Sequence, residues 1–183
     1  KVIETCIGQY HLTQAVLKPD TLLEAGLDYV IQIDNLPESE SLNRYNSETK
    51  EWEPIKFKVT SGNDTEKPFV SSIPKETEKK LYYYGCGPST HVVFKSVVKD
   101  SSEIIIKTTV TNMKSGIECT YYIQPNKNKI EVGHGMCSGA FIFDDGLNYE
   151  VSFSFMDASG NMTYWKGKKI KFTKPTRQST DNE

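Results

Sequence analysis

The chain is poor in the groups that carry out chemistry. Its three histidines, His11, His91 and His134, lie far apart, and none forms HxH or HExxH. Its four cysteines include no CxxC pair, so the sequence predicts no metal site. GxxxxGKS/T and GxSxG are both missing, which removes a phosphate loop and a hydrolase elbow. No apolar run approaches the ~20 residues that cross a bilayer as a helix. The formal net charge of −2 lacks the basic excess of a general nucleic-acid binder. Helical periodicity is thin: Pro19–Gly26 has room for a turn or two and reads better as a loop.

What is present points to an oxidising compartment. Cys6, Cys86, Cys119 and Cys137 are an even, widely spaced set, as in a disulfide-linked chain. Asn63-Asp64-Thr65 and Asn161-Met162-Thr163 both fit N-x-S/T, which predicts glycans on Asn63 and Asn161. The competing reading is four buried thiols inside a cell and two chance sequons. The agreement of the two signals favours an extracellular or cell-surface protein. A chain of 183 residues buries a core without disulfides, so the cysteines reinforce rather than create the fold. Lys1 opens directly into mixed sequence, the expectation for a processed amino terminus. Residues 175–183 are polar and unpatterned. They read as a flexible tail, or as a stalk leading to a membrane anchor beyond residue 183.

Period-two alternation dominates the rest. Tyr29, Ile31 and Ile33 alternate with Val30 and Gln32, and Ile55, Phe57 and Val59 with Lys56, Lys58 and Thr60. Ile104, Ile106 and Val110 share a face. Tyr149, Val151, Phe153 and Phe155 alternate with Glu150, Ser152 and Ser154. Each run reads as a half-buried strand. Turn signals at 112–116, 125–128 and 157–161 separate strands at sandwich-like spacing. The expectation is an all-β, antiparallel, immunoglobulin- or fibronectin-like sandwich in two packed β-subdomains, disulfide-linked. The boundaries expected are 1–78 for an amino-terminal subdomain, 79–174 for a fibronectin-like sandwich and 175–183 for the tail. Pro37–Trp52 reads as a long polar loop, and Pro74–Lys80 as a helical turn or linker. Gly26-Leu27-Asp28-Tyr29 echoes Gly146-Leu147-Asn148-Tyr149. Either a duplication or the common chemistry of strand openings explains that echo. A tyrosine at such an entrance tends to bond back to nearby backbone.

Few residues stand out for function. His134 lies three before Cys137, but a cysteine nucleophile needs a free thiol and an orienting group. A disulfide cysteine beside a glycine-bracketed turn is the simpler account, and no catalytic residue or cofactor is expected. Asp144-Asp145 read as a loop rather than an acid/base pair. Trp165 precedes a lysine-rich strand in which Lys168, Lys169 and Lys171 suit a sulfated glycan or acidic partner. The same lysines suit a protected sheet edge, which is the favoured reading. Tyr82, Tyr83 and Tyr84 suit contacts with protein or glycan, or a seam between subdomains.

Residues 119–173 resemble the membrane-proximal ectodomain of uroplakin III. The resemblance rests on Met136-Cys137-Ser138-Gly139-Ala140-Phe141, on Tyr149-Glu150-Val151-Ser152-Phe153, on Asp157-Ala158-Ser159-Gly160, and on Thr163-Tyr164-Trp165 with Ile170. That family shares a cysteine in a small-residue turn, a tyrosine-led strand, a glycine hairpin and a tryptophan before the last strand. Its four spaced cysteines would correspond to Cys6, Cys86, Cys119 and Cys137. The resemblance implies a cell-surface glycoprotein acting by lateral protein contacts, without catalysis.

Four cysteines allow three connectivities. Cys119 and Cys137 flank a hairpin-like pair of strands, so the expectation joins them locally and leaves Cys6 for Cys86. The function expected is non-enzymatic recognition or adhesion through a protein partner. The rival readings are a glycan-binding module and a carrier holding a lipid or small ligand between its sheets.

Overall fold

The computed structural model describes residues 1–10, 12–35, 42–60, 62, 64–144 and 147–176. Among these the chain forms strands and no helix. They are β1 (Val2–Ile7), β2 (Thr13–Leu17), β3 (Asp28–Val30), β4 (Asn43–Asn46), β5 (Glu51–Pro54), β6 (Lys56–Lys58), β7 (Phe69–Tyr84), β8 (Gly87–Lys99), β9 (Ile104–Asn112), β10 (Glu118–Ile123), β11 (Lys129–His134), β12 (Asn148–Asp157), β13 (Met162–Thr163) and β14 (Ile170–Thr173). Two compact units result. One combines Lys1–Lys18 with the chain from Thr65 onward, and the other is Pro19–Asp64.

Besides the β1–β2 hairpin, the larger unit holds two antiparallel sheets. One runs β11-β8-β7; the other runs β10-β9-β12, with β13 and β14 sharing the far side of β12. Alternation decides what each strand buries. In β12, Tyr149, Val151, Phe153 and Phe155 are buried, while Glu150, Ser152 and Ser154 are half-buried. In β9, Ile106, Thr108 and Val110 turn inward the same way. The two inner faces meet in one core. Phe94 of β8 stands edge-on to Phe153 at 5.3 Å and to Phe172 at 5.6 Å, while Tyr149 stacks on Phe172 at 5.6 Å. Phe141 and Phe143 close that end, each edge-on to the Tyr149 ring. Burying each such ring stabilises the fold by roughly 1.5–3 kcal/mol. These rings fill the space between the two sheets.

The amino-terminal hairpin covers an edge. Among the described residues β10 has only β9 as a ladder partner, which leaves the backbone of Tyr122 available. The Gln14 side chain from β2 takes both groups: its Nε2 donates to Tyr122 O at 2.8 Å, and Tyr122 N donates to its Oε1 at 2.8 Å. Glu4 on β1 accepts from Lys107 Nζ at 2.6 Å and from the Tyr122 hydroxyl at 2.7 Å. An amide side chain thus does the work of a further strand at an edge that would otherwise invite pairing.

Two segments differ from expectation. Pro74–Lys80 is no linker, because β7 runs unbroken from Phe69 to Tyr84, through residue 78 where the sequence suggested a domain boundary. β7 is the outer strand of its sheet, and its register with β8 shifts three times between Val70 and Glu78. Bulged edge strands are where proline is tolerated, since its missing N–H costs no ladder bond there. Within Pro37–Trp52, β4 and β5 form a hairpin; residues 36–41 lie outside the described residues. The turn is closed by Asn46, whose Oδ1 accepts from the Glu48 and Thr49 amides at 2.9 and 3.4 Å. Tyr45 and Trp52 face each other across the hairpin with ring centroids 5.6 Å apart.

The smaller unit is built differently. β3 pairs with β6 and β4 with β5, each as a short two-stranded ribbon. The Tyr29 and Phe57 rings stack at 6.0 Å. The longer strands expected through Ile33 and Val59 are absent: β3 ends at Val30 and β6 at Lys58. Ile31, Ile33 and Ile55 are exposed. A ribbon of two strands has no second layer to cover its apolar face, so alternation cannot be converted into burial there.

Candidate interaction surface

None of the described residues of the Pro19–Asp64 unit is buried. Leu22 is 78% exposed and Trp52 67%, with Leu27, Val30, Ile31, Ile33, Tyr45 and Ile55 also open to solvent. Exposed apolar side chains are ordinary when scattered singly. In this unit many are exposed together, and none of the described residues is buried.

The expected tyrosines stand at the end of β7, opposite Ser89, Pro88 and Gly87 of β8. Tyr82, Tyr83 and Tyr84 are all more than half exposed. Tyr82 and Tyr83 line a groove of about 760 Å³ together with Lys79, Lys80, Leu147 and Lys174. The sequence did not single out those lysines or Leu147. They come together because Lys79, on the outer strand of one sheet, donates to the Thr173 hydroxyl on the outer strand of the other. Lys174 Nζ is held by Asp144 O at 2.9 Å, and Lys80 Nζ by Glu131 Oε1 at 2.7 Å. Pro175, expected to open a flexible tail, is buried and lines the same groove; residues 177–183 lie outside the described residues.

The lysine strand is an edge. Among the described residues β14 pairs only with β12. Lys169 Nζ is engaged by Thr111 and Glu118, and Lys171 stands opposite Glu150. Lys168 is exposed, and its carbonyl accepts from the Trp165 indole at 3.2 Å. Trp165 also lies edge-on to Phe153 at 6.5 Å, so half of it works as a core lid. The three lysines are thus spread between acidic neighbours and solvent rather than gathered into one basic stripe. The bonds to Lys169 and Thr111 hold the Glu118 carboxyl below its ordinary pKa.

Cys137 and His134 differ in exposure. Cys137 is exposed, whereas His134 is buried, its Nδ1 2.8 Å from Gly135 O and its ring edge-on to Tyr10. All four cysteines are thiols in this structure, Cys6 and Cys119 buried and Cys86 and Cys137 exposed. Burial pushes the Cys6 and Cys119 thiols up, which makes them poor nucleophiles.

The two sequons fare differently. Asn63 lies outside the described residues. Asn161 sits in the β12–β13 turn, where its Nδ2 donates to Asp157 Oδ2 at 2.8 Å. A glycosylated amide keeps one N–H, so that bond is compatible with a glycan. The Thr163 hydroxyl donates to Pro68 O at 2.6 Å.

Taken together, the sheets and the surface define an all-β protein with an antiparallel two-sheet core and an exposed apolar unit. No protein-family model, curated protein or solved structure matches the chain.

Proposed function

We propose that the chain is a non-enzymatic, secreted or cell-surface glycoprotein ectodomain that acts by recognising another protein. The observation that carries this is the Pro19–Asp64 unit, with its open apolar side chains and no buried residue. Polypeptides this short rarely hold a fold without a partner, a metal or disulfides. A partner surface covering Leu22, Tyr45 and Trp52 would supply the missing layer.

The larger unit carries a fibronectin-like reading. Lettered A, B, C, C′, E, F and G, the strands β7 to β12 and β14 put B between A and E on one sheet. The same letters put C, F and G together on the other, with C′ outside C. That partition supports reading the larger unit as an immunoglobulin-class sandwich. The Tyr149 hydroxyl at the start of strand F bonds back to the Asp144 carboxylate at 2.8 Å and reaches the Asp144 carbonyl, the backbone group a tyrosine corner uses, at 3.4 Å. On such a sandwich, the uroplakin III-like resemblance of residues 119–173 implies lateral contact as the mode of action.

The test is surface cross-linking on cells displaying the chain. Leu22→Ser, Trp52→Ser and Phe57→Ser together should abolish specific cross-links while the melting of the larger unit is unchanged. Retention of every cross-link by that variant would sink the reading.

A second reading, glycan binding, is favoured by one observation. The 760 Å³ groove sets Tyr82 and Tyr83 beside Lys79, Lys80 and Lys174. Aromatic faces with cations suit a sulfated sugar. It predicts salt-sensitive heparin retention that Tyr83→Ala weakens. The groove, not Lys168, Lys169 and Lys171, is the surface to test.

A further inference from the structure

We propose that the four cysteines pair as Cys6–Cys119 and Cys86–Cys137. The first pair is set by how the amino-terminal hairpin lies on β10. Glu4 bonds the Tyr122 side chain, while Gln9 N donates to Ala140 O at 3.0 Å. Cys119 Sγ donates to that same Ala140 oxygen at 3.0 Å. The segment from Glu4 to Gln9 therefore runs past β10 from Tyr122 towards Cys119, with Cys6 between its two anchors. Cys6 stands opposite Gln14, whose amide grips the Tyr122 backbone, so the hairpin cannot slide along β10 without breaking that pair of bonds. Both sulfurs are in the interior: Cys6 is 6% and Cys119 7% exposed. They are close enough for a charge on Cys6 to raise the Cys119 thiol further, after burial.

The second pair follows from the turn after β11. β8 and β11 are antiparallel, with His91 opposite Gly133 and Thr90 opposite His134. Past His134 the chain turns back, Gly135 N donating to Ser138 O at 2.9 Å, and this turn sets Met136, the neighbour of Cys137, against Gly87, the neighbour of Cys86. The contact is direct at that level: a Cβ on Gly87 would lie 3.9 Å from Met136 O. Cys86 occupies the β7–β8 turn, and both it and Cys137 are exposed. Each of the other two connectivities, including the sequence expectation of Cys6–Cys86 with Cys119–Cys137, joins a buried sulfur to an exposed one twice over.

The chemistry is thiol–disulfide exchange. In each pair two S–H bonds are lost and one S–S bond forms. The two electrons and two protons pass to a small-molecule or protein disulfide, whose own S–S bond is broken to two thiols. Cys119 gives up its bond to Ala140 O. That oxygen keeps the Gln9 amide as a partner, so it is not stranded.

The connectivity concerns the same oxidising environment as the function proposed above, so the test must separate the two. Purified chain is equilibrated with glutathione disulfide, digested without reduction and mapped by mass spectrometry. The expected result is peptides joined Cys6–Cys119 and Cys86–Cys137, whether or not cell-derived chain carries a glycan on Asn161. A bare Asn161 with this connectivity would count against secretion only. Any other pairing, or four free thiols after equilibration, would overturn the proposal. The Cys86→Ser/Cys137→Ser variant keeps the test open if the exposed pair disturbs folding: it should still lose the mass of two hydrogens and yield the Cys6–Cys119 peptide. Two free thiols there would count against the buried pair.

Discussion

The Tyr149 hydroxyl donates to Asp144 Oδ1 at 2.8 Å, five residues upstream, and Asn112 Nδ2 donates to the other carboxylate oxygen at 2.5 Å. One carboxylate thereby ties the start of β12 to the end of β9. Asn112 Oδ1 in turn accepts from the Lys114 amide at 2.8 Å and shapes the turn into β10. Tyr149 is fully buried, so its hydroxyl has no water to fall back on. Tyr149→Phe should cost about 1–2 kcal/mol, and Asp144→Ala about 2–3 kcal/mol because it strands two donors. Urea unfolding checks both, and equal effects would mean that the carboxylate is not shared as described.

Tyr121 is the opposite case. Its hydroxyl is buried with only the Gly133 backbone near it, in a geometry too poor for a full hydrogen bond. Burial pushes its pKa far up, so it stays neutral at any ordinary pH. Removing a poorly partnered buried polar atom while keeping the ring is neutral or stabilising. Tyr121→Phe should therefore leave stability unchanged or raise it by up to about 1 kcal/mol. A clear loss on thermal unfolding would show that the hydroxyl makes a full hydrogen bond.

Gly133 is the most constrained residue of β11. Its φ of +148° is foreign to other residues, and a Cβ there would lie 2.0 Å from Thr90 O. Gly160, in the β12–β13 turn at φ +86°, has open space around it. Gly133→Ala should cost on the order of 4 kcal/mol or prevent folding, and Gly160→Ala about 1 kcal/mol. Comparing the two by thermal melting separates a steric clash from backbone preference alone.

His91 sets a pH dependence. Burial holds its pKa below the usual 6.5; Glu131 opposes that, while His134 and Lys80 add to it. The unfolded chain then binds the proton more readily than the folded one. Stability from this group is full above about pH 6.5 and declines as pH falls through that value towards the folded pKa. His91→Gln should flatten the slope just below about pH 6.5. Glu4 is lowered by its bonds to Lys107 and Tyr122, and Glu131 by its bond to Lys80, so their contributions are lost only as pH falls below the ordinary 4.5. A slope in the upper window that survives His91→Gln would assign it elsewhere.

The strands of the larger unit were legible where alternation met the turn chemistry of Asn112–Gly116 and Asp157–Asn161. There, local pattern and tertiary burial agree. β7 was not legible, because Pro74 and the charged run Glu76–Lys80 have no strand signature of their own. Bulged pairing with β8, and ion pairs such as Lys80 with Glu131, make them a strand. The edge position of β14 was legible in the lysines of its segment, of which only Lys171 lies in the strand itself, but the groove shared by Lys79 and Lys174 was not. Those two lie 95 residues apart in number and meet only when two sheet edges close on each other.

By itself the sequence determined that this is an all-β chain, which faces of β9 and β12 turn inward, and where the turns fall. Period-two alternation and turn residues act over a few residues and are written locally. The tertiary structure alone decided that Pro19–Asp64 keeps its apolar side chains in the open, that Gln14 caps the edge of β10, and that Cys6 lies by Cys119. Those outcomes depend on which distant backbones come together, and spacing along a chain does not encode that.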